Sequence, residues 1–157
     1  MVSQEKKLEV LVKIAHLFKE HDITWAVGAS LLLYFKGIVD DFHDLDLLIH
    51  MKDAFKAKEL LSLLGEIEIP ENNPMFTTKH FYKFNVENVD IDMMAGFGVI
   101  YEGQEYNLAL HEDQIEEYKE IDNINIPLQS VELWKDYYRY IGRPQKVKMI
   151  ENYIKTE

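Results

Sequence analysis

The sequence predicts an α/β (α+β) fold in which a small mixed β-sheet is flanked by helices. The chain opens with a segment of helical periodicity, and short apolar segments of strand length then alternate with helical ones. Two further amphipathic segments close the chain, and no repeat, low-complexity tract or long linker divides it. We therefore expect residues 1–157 to form a single domain, with a C-terminal helical hairpin at about 130–155 packed on it.

The beginning of the chain is predicted to hold a helix, a strand and a short second helix. Apolar residues recur at helical spacing within 3–21, and residues 24–27 are apolar enough for a short buried strand. Ser30 is placed to cap a helix over Leu31–Lys36, which Gly37 can end.

A strand, a helix and another strand are predicted next. Leu45–Ile49 is strongly strand-like, Asp53–Leu64 returns to helical spacing, and Glu66–Ile69 is a third strand candidate. Proline and asparagine residues within 70–74 then indicate a loop.

The middle of the chain is predicted to form a β-hairpin. Its arms are Phe76–Val86 and Val89–Ala95, and its turn is Glu87-Asn88, where asparagine tolerates a positive φ. Glycines break the segment that follows into short pieces. Asn125–Leu128 is a candidate for the last strand, and two helices are expected over Val131–Ile141 and Pro144–Ile154.

Composition excludes several classes of function. The net charge of −11 disfavours binding to bulk duplex nucleic acid, because that affinity depends on lysine and arginine at phosphates. The absence of cysteine excludes disulfides, thiolate metal sites and cysteine nucleophiles. No apolar run approaches the ~20 residues that span a bilayer, and the N-terminus lacks the apolar core of a signal peptide. We expect no membrane partner and a cytoplasmic location.

Positive charge is concentrated near the C-terminus. A basic segment against an acidic body could help to hold phosphate, although such a segment is more often a solvated helix face. Residues 130–157 contain four acidic side chains and six basic ones, namely Lys135, Arg139, Arg143, Lys146, Lys148 and Lys155.

Two Asp-x-Asp patterns carry the candidate chemistry. Asp44 and Asp46 adjoin one apolar strand, and Asp90 and Asp92 lie on another. Residues i and i+2 of a strand share a face, so each pair presents two carboxylates on one side. Such a pair can hold Mg²⁺, which takes oxygen ligands and shares them with substrate phosphates. The alternative for each pair is a solvated strand edge.

The predicted hairpin places positive charge beside the second pair. A two-residue turn sets Lys83 opposite Asp92 and Asn85 opposite Asp90, with Lys79 on the same face. On this polar face, metal and phosphate would meet, which makes Lys79 and Lys83 candidate nucleotide-binding residues. The alternative is a cross-strand salt bridge between Lys83 and Asp92, worth ~1 kcal/mol or less at a surface.

The order of these motifs resembles the nucleotidyltransferase superfamily typified by DNA polymerase beta, and most closely its small bacterial and archaeal members of minimal type. That family pairs a Gly-Gly or Gly-Ser turn, opening a short helix, with an Asp-x-Asp or Asp-x-Glu strand and a third carboxylate from a later strand. The resemblance spans about residues 24–154. It rests on Gly28-Ala29-Ser30, Gly37, His43-Asp44-Leu45-Asp46-Leu47, Ile91-Asp92-Met93, Leu128-Gln129-Ser130-Val131-Glu132-Leu133, Gly142-Arg143-Pro144 and Ile150-Glu151.

The resemblance implies a catalytic metal site and a nucleotide site. Asp44, Asp46 and Asp92 would be catalytic and would bind two Mg²⁺ (or Mn²⁺) ions, the arrangement for in-line displacement at a phosphate. Asp90 is the second choice for the third carboxylate. Ser30 would contact the nucleoside triphosphate at the start of its helix, where free backbone amides favour anions.

The turn before that helix departs from the family pattern. Alignment from Gly37 places Ala29 where the family has its first glycine, and alanine restricts both backbone dihedrals and the approach of phosphate. Either Gly28 serves one position early, or the turn is altered. Gly28, Ala29 and Ser30 therefore remain together as candidate nucleotide-binding residues.

Two classes of function follow from these residues. The first is an enzyme that moves a nucleoside monophosphate from a triphosphate to a hydroxyl on an acceptor that the sequence does not identify. The second is a non-catalytic module of the same fold that senses nucleotide or binds a protein partner, for example one component of a toxin–antitoxin pair. The three carboxylates favour the enzyme, whereas Ala29 favours the module. Among other candidates, His43 and His80 are expected to be structural, and Trp134 and Tyr138 to pack in the core.

Overall fold

The computed structural model describes residues 2–156, which form an α/β structure with a mixed sheet, as predicted. Helices and strands alternate along the first half, strands dominate the middle, and two helices close the chain. The elements are α1 Gln4–Glu20, β1 Trp25–Val27, α2 Ala29–Phe35, β2 Leu45–Ile49, α3 Ala54–Leu64, β3 Glu66–Glu68, β4 His80–Val86, β5 Val89–Ala95, β6 Gly98–Tyr101, β7 Gln104–Asn107, β8 Glu117–Ile121, β9 Ile124–Leu128, α4 Val131–Tyr140 and α5 Pro144–Thr156.

The main sheet has seven strands in the order β3-β4-β5-β2-β1-β9-β8, and β6 and β7 form a separate two-stranded sheet. Strand β2 runs parallel to β5, and β1 runs parallel to β9. The other neighbouring strands are antiparallel. This order brings β2 and β5, the two strands with Asp-x-Asp patterns, side by side at the centre of the sheet.

The predicted hairpin and its register are confirmed. Strands β4 and β5 are joined by Glu87-Asn88, and both turn residues have positive φ (51° and 69°). Lys83 lies opposite Asp92, and Asn85 lies opposite Asp90. The first arm is shorter than expected, because β4 begins at His80 rather than Phe76. The chain before it bonds instead toward β6, where Phe76 forms an isolated bridge with Val99.

The prediction that Ser30 caps the second helix is wrong. Gly28 is the N-cap residue, Ala29 is the first helical residue, and Ser30 lies within the first turn. The helix starts early because Ala29 adopts a left-handed backbone conformation (φ 52°), which turns the chain directly out of β1. The predicted end of the helix at Gly37 is confirmed, with φ of 75° at that glycine.

Three strands were not predicted from the sequence. The hairpin of β6 and β7 turns at Glu102-Gly103, and β8 joins β9 through Asp122-Asn123; all four turn residues have positive φ. Strand β8 is almost entirely exposed at the sheet edge, so it lacks the apolar alternation that marks a half-buried strand.

The two C-terminal helices pack against each other, and α4 also contacts α2 and β6. Helix α4 is capped by Ser130, whose hydroxyl accepts hydrogen bonds from the backbone amides of Glu132 and Leu133. Its buried face stacks Trp134 on Phe97, with ring centroids 6.0 Å apart. Within residues 2–156, no helix is both long enough and apolar enough to cross a membrane.

Candidate functional site

Charged side chains form two rows across four neighbouring strands of the main sheet. In the first row, Asp46 on β2 lies opposite Asp92 on β5, Asp92 lies opposite Lys83 on β4, and Lys83 lies opposite Glu68 on β3. The row therefore crosses from the centre of the sheet to its edge, and it brings two of the three predicted metal ligands to adjacent positions.

The second row lies two residues away on the same side of the strands. It contains Asp90 opposite Asn85, and Asn85 opposite Glu66. Asp44, directly before β2, is two residues from Asp46. We call these two rows the acidic face. Its open part is a cleft of about 370 Å³ lined by Asp44, Glu66, Ile67, Glu68, Lys83, Phe84, Asn85, Asp90 and Asp92.

The acidic face stands on a fully buried apolar layer. Leu45, Leu47, Ile91 and Met93 alternate with the aspartates of β2 and β5 and are completely buried. Their packing fixes the two strands, so the carboxylates of Asp46 and Asp92 project from a rigid platform. Two-metal chemistry needs such rigidity, because small displacements of positioning groups reduce catalysis strongly.

The carboxylates of Asp46 and Asp92, at the centre of the acidic face, repel each other and are partly shielded from water. Burial raises the pKa of Asp46 well above its usual range, and the negative charges of Asp92 and Asp44 raise it further. Burial also raises the pKa of Asp92, although the Lys83 ammonium opposes that rise. A positive charge between the two carboxyl groups would therefore stabilise the ionised form of both.

Lys83 supplies part of that charge. Its Nζ lies 3.3 Å from Oδ1 of Asp92, so the cross-strand salt bridge weighed in the sequence analysis is present. Burial lowers the pKa of Lys83, but the charge of Asp92 and the hydrogen bond to it outweigh burial, and the pKa is raised. Lys83 is thus a cation at the cleft that is already paired with a carboxylate.

The donor set fits a hard divalent cation by its chemistry. Asp44, Asp46 and Asp92 offer carboxylate oxygens, the ligands that Mg²⁺ prefers, and a cation would offset their repulsion. Among the residues that the structure describes, no three acidic or histidine side chains are grouped closely enough to form a ready-made metal site. The sheet register brings Asp46 and Asp92 together, whereas Asp44 lies just before β2 and lines the cleft.

The turn between β1 and α2 is attached directly to the acidic face. The backbone amide of Gly28 donates a hydrogen bond to the carbonyl of Asp46 (3.1 Å). Gly28 also lies against Trp134, since a Cβ added there would be 2.6 Å from the indole Nε1 and Cζ2. Ala29 follows with its φ of 52°. The turn thus keeps the left-handed backbone expected of glycine, although the residue is alanine.

Helix α4 supports this turn through residues that the sequence analysis assigned only to core packing. The Trp134 indole donates a hydrogen bond to Oε1 of the buried Gln129 (2.7 Å). One helical turn later, Tyr138 is buried beside Ser30. Burial raises the pKa of Tyr138, and the Ser30 hydroxyl acts against that rise. The helical spacing of Trp134 and Tyr138 predicts a shared face, but nothing local to α4 reveals that this face meets Ser30.

Other predicted residues lie away from the acidic face. Lys79 is exposed, and its backbone amide donates to the carbonyl of Gly96 (3.1 Å), past the far end of β5. It precedes Lys83 by four residues, roughly 13 Å along an extended chain. His43 is exposed before β2. His80 packs its ring against Phe55, with centroids 5.0 Å apart.

Sequence comparison finds no relatives: no known family model matches the chain, and no curated protein matches it. Comparison of structures does find proteins of similar fold. TM1012 from Thermotoga maritima, described as a "putative nucleotidyltransferase", superposes with a TM-score of 0.76 at 19% identity, covering 99% of this chain and 97% of that one.

Two adenylyltransferases have the same fold. ANT(2'')-Ia, solved in complex with adenylyl-2''-tobramycin, matches with a TM-score of 0.65 at 11% identity, over 96% of this chain and 89% of that one. LnuA, a lincosamide antibiotic adenylyltransferase solved with lincomycin, matches with a TM-score of 0.62 at 14% identity, over 96% and 97%. The fold predicted from the order of motifs is therefore confirmed.

Proposed function

We propose that this chain, which has the nucleotidyltransferase fold, transfers a nucleoside monophosphate from a nucleoside triphosphate to a hydroxyl group of an acceptor. One observation carries the proposal. In the register of β2 and β5, Asp46 lies opposite Asp92, with Asp44 two residues before Asp46. Two carboxylates on adjacent strands, with a third two residues along the chain, supply the ligand type that metal-assisted phosphoryl chemistry requires.

Each residue has a distinct role in this proposal. Asp44, Asp46 and Asp92 would hold Mg²⁺ or Mn²⁺, which supplies charge neutralisation at the transferring phosphate. Ser30 and the backbone of the Gly28–Ser30 turn would bind the triphosphate. The acceptor hydroxyl releases its proton to water, its oxygen bonds to the α-phosphorus, and the bond from that phosphorus to the leaving pyrophosphate breaks. Lys83 would hold Asp92 in its ionised form at the cleft.

The charge of the cleft narrows the choice of acceptor. Its lining includes five carboxylates and a single lysine. A polyanionic acceptor such as RNA would be repelled by this surface, whereas a neutral or cationic small molecule would not. The related fold of ANT(2'')-Ia, which was solved with an adenylylated tobramycin, supports a small hydroxyl-bearing acceptor.

A transfer assay tests the proposal. The chain is incubated with each of the four α-³²P-labelled nucleoside triphosphates, Mg²⁺ and a panel of hydroxyl-bearing small molecules, or small-molecule extract. We expect label to move to an acceptor, and Asp44→Asn to reduce transfer at least about a hundredfold by removing charge stabilisation in the transition state. Asp113→Asn, which removes an exposed carboxylate outside the cleft, is the matched control and should leave transfer unchanged.

The alternative function has its own outcome in this assay. Nucleotide binding without transfer to any acceptor would favour the sensing module. In that case the protein keeps the fold and binds nucleotide but catalyses no transfer. If Asp44→Asn and Asp113→Asn both transfer label as fast as the wild type, the reaction takes place elsewhere on the chain.

A further inference from the structure

Asp44 is the one proposed metal ligand that lies outside a strand. The pairing of β2 with β5 begins at Leu45, so the backbone of Asp44 has no partner strand there. Its side chain is half-buried, and it forms no hydrogen bond or salt bridge with any other residue between 2 and 156. The position of this carboxylate therefore depends on the backbone that leads to it.

Helix α1 holds the loop before β2 through two side chains. The side-chain amide of Gln4 donates hydrogen bonds to the carbonyl of Asp40 and to Oδ1 of Asp41, both at 2.8 Å. The ammonium of Lys7 donates to the carbonyl of Phe42 (2.7 Å), and Nζ lies 5.3 Å from the centroid of the Phe42 ring. Three consecutive residues of the loop are thus bonded to the same helix.

The last of these loop residues lies close to Asp44 along the chain. Phe42 is buried, and its ring packs against Tyr34 of α2 with centroids 4.8 Å apart. The Tyr34 hydroxyl in turn donates to Oε1 of Gln4 (3.3 Å). Asp44 follows Phe42 after a single residue, roughly 6.6 Å of extended chain. A displacement of the loop at Phe42 would therefore move Asp44 as well.

Helix α1 is a fixed reference for this loop because its other face belongs to the core. The same helix also binds the turn of the hairpin that carries Asp92. Nζ of Lys6 lies 2.7 Å from Oε1 of Glu87, and Lys13 pairs with the same carboxylate. One helix thus holds the segments that lead to Asp44 and to Asp92. Its buried residues are Val10, Leu11, Ile14, Ala15 and Phe18.

We propose that Gln4 and Lys7 are positioning residues for the cation site. By holding the loop from Asp40 to Phe42, they fix the distance of the Asp44 carboxylate from the carboxylates of β2 and β5. The inference rests on the proposed function, in which Asp44 is a metal ligand. Small displacements of a positioned group weaken a site of this kind, because its ligands must meet around one ion.

The sign of the effect separates positioning from simple electrostatics. A lysine ammonium in the neighbourhood of a cation site repels the cation, so the loss of its charge alone should strengthen cation binding. Loss of the hydrogen bond from Lys7 to the loop should instead weaken it. Gln4 is uncharged, so its removal changes the support of the loop without any change in charge.

Titration with Mn²⁺, followed by electron paramagnetic resonance, tests the proposal in the wild type, Lys7→Met, Gln4→Met and Lys7→Arg. The matched control is Lys19→Met, which removes the same charge from an exposed position of α1. We expect Lys7→Met and Gln4→Met each to bind Mn²⁺ roughly three- to tenfold more weakly than the wild type. Lys7→Arg keeps a donor for the Phe42 carbonyl and should stay close to the wild type, and Lys19→Met should bind at least as tightly.

Two further readouts show whether the effect passes through Asp44. In an Asp44→Asn background, Lys7→Met should cause no further loss of Mn²⁺ affinity, because the ligand that it positions is already missing. Hydrogen–deuterium exchange of the backbone amides of residues 38–45 should be faster in Lys7→Met and Gln4→Met than in the wild type.

Each outcome bears on the assignment. Mn²⁺ affinity that is unchanged in Lys7→Met and Gln4→Met overturns it, as does an equal loss in Lys19→Met or a loss of full size in the Asp44→Asn background. Nucleotide transfer by a protein whose Mn²⁺ affinity is indifferent to Lys7 removes the assignment and leaves the proposed function standing. Mn²⁺ binding that depends on Lys7 and Asp44 together, without transfer to any acceptor, does the reverse. A wild type that binds no Mn²⁺, with or without nucleotide, overturns both.

Discussion

Ala29 shows how a single residue can keep a left-handed turn at a cost. Its φ of 52° lies in the left-handed region, where an L-residue with a Cβ is disfavoured by roughly 1–2 kcal/mol. Glycine reaches this region without the steric penalty. The strain persists because Gly28 is held on one side by Asp46 and Trp134, and α2 continues on the other.

Replacing this alanine with glycine should therefore stabilise the protein. We expect Ala29→Gly to raise the free energy of unfolding by roughly 0.5–1 kcal/mol. This is the net effect, because glycine removes the strain of the folded state but also gives the unfolded chain more conformational entropy. Thermal denaturation should show a rise of ~1–4 °C. Ala57→Gly, in the ordinary helical backbone of α3, is the matched control and should lower stability. A loss of stability in Ala29→Gly as large as in the control would contradict the strained turn.

The raised pKa of Asp46 predicts a pH-dependent stability in metal chelator. A carboxyl group whose pKa is raised in the folded state favours folding while protonated, and it opposes folding as pH rises above the unfolded value of about 3.8. Asp46→Asn should thus melt above the wild type at pH 7 by a few degrees, and this advantage should shrink toward pH 4. Asp113→Asn provides the control, and a pH-independent difference for Asp46→Asn would refute the electrostatic cause.

The key aspartates could be found from sequence, and their supporting residues could not. The period of two along a strand is enough to put Asp44 with Asp46 and Asp90 with Asp92. The hairpin turn is enough to place Lys83 opposite Asp92. Glu68 and Tyr138 reach the site only because β3 pairs with β4 and α4 packs on α2, and neither contact leaves a local signal in the sequence.

At the scale of elements, the contact between α4 and the β1–α2 turn holds that turn in position beside the acidic face. It depends on the absence of a side chain at Gly28, where a Cβ would be 2.6 Å from the Trp134 indole. Gly28→Ala should therefore destabilise the protein by roughly 1–3 kcal/mol through overpacking.

A double-mutant cycle isolates that contact. Phenylalanine lacks the indole atoms that a Cβ at position 28 would strike, so Gly28→Ala should cost less in a Trp134→Phe background than in the wild type. Denaturant unfolding of the four proteins gives the coupling free energy. Equal costs in both backgrounds would show that Gly28 is required for a reason other than Trp134.

The elements that sequence analysis missed share a physical cause. Strand β8 lies at the sheet edge, and the β6–β7 hairpin forms a separate small sheet, so neither is marked by a long apolar alternation. Their turns nevertheless resemble the predicted one, since both residues of Glu102-Gly103 and of Asp122-Asn123 have positive φ, as in Glu87-Asn88.

At the scale of the whole molecule, the fold is specified by patterns that survive when most residues change. The chain aligns with 97% of the length of TM1012 at 19% identity. The order of motifs from Gly28 to Asp92 is the sequence feature that predicts this fold. The position of β5 between β4 and β2 is a tertiary feature, and it places Asp92 next to Asp46.

Acidic and basic residues are concentrated in different parts of the chain. The acidic face collects carboxylates around one cleft, while the segment from residue 130 onward contributes a basic excess that includes Arg143. A metal–nucleotide complex has both positive and negative parts, so it is complementary to this division. The account therefore depends above all on whether the three aspartates bind a cation together.

Binding of Mn²⁺ is the measurement that tests this claim most directly. Calorimetric titration and the electron paramagnetic resonance signal of Mn²⁺ would be compared for the wild type, Asp44→Asn, Asp46→Asn, Asp92→Asn and the control Asp113→Asn. We predict that the wild type and the control bind Mn²⁺ alike, and that each of the other three variants binds at least about tenfold more weakly, because each loses a charged ligand. Equal Mn²⁺ affinity in all five proteins, or no binding by the wild type with or without nucleotide, would contradict the account.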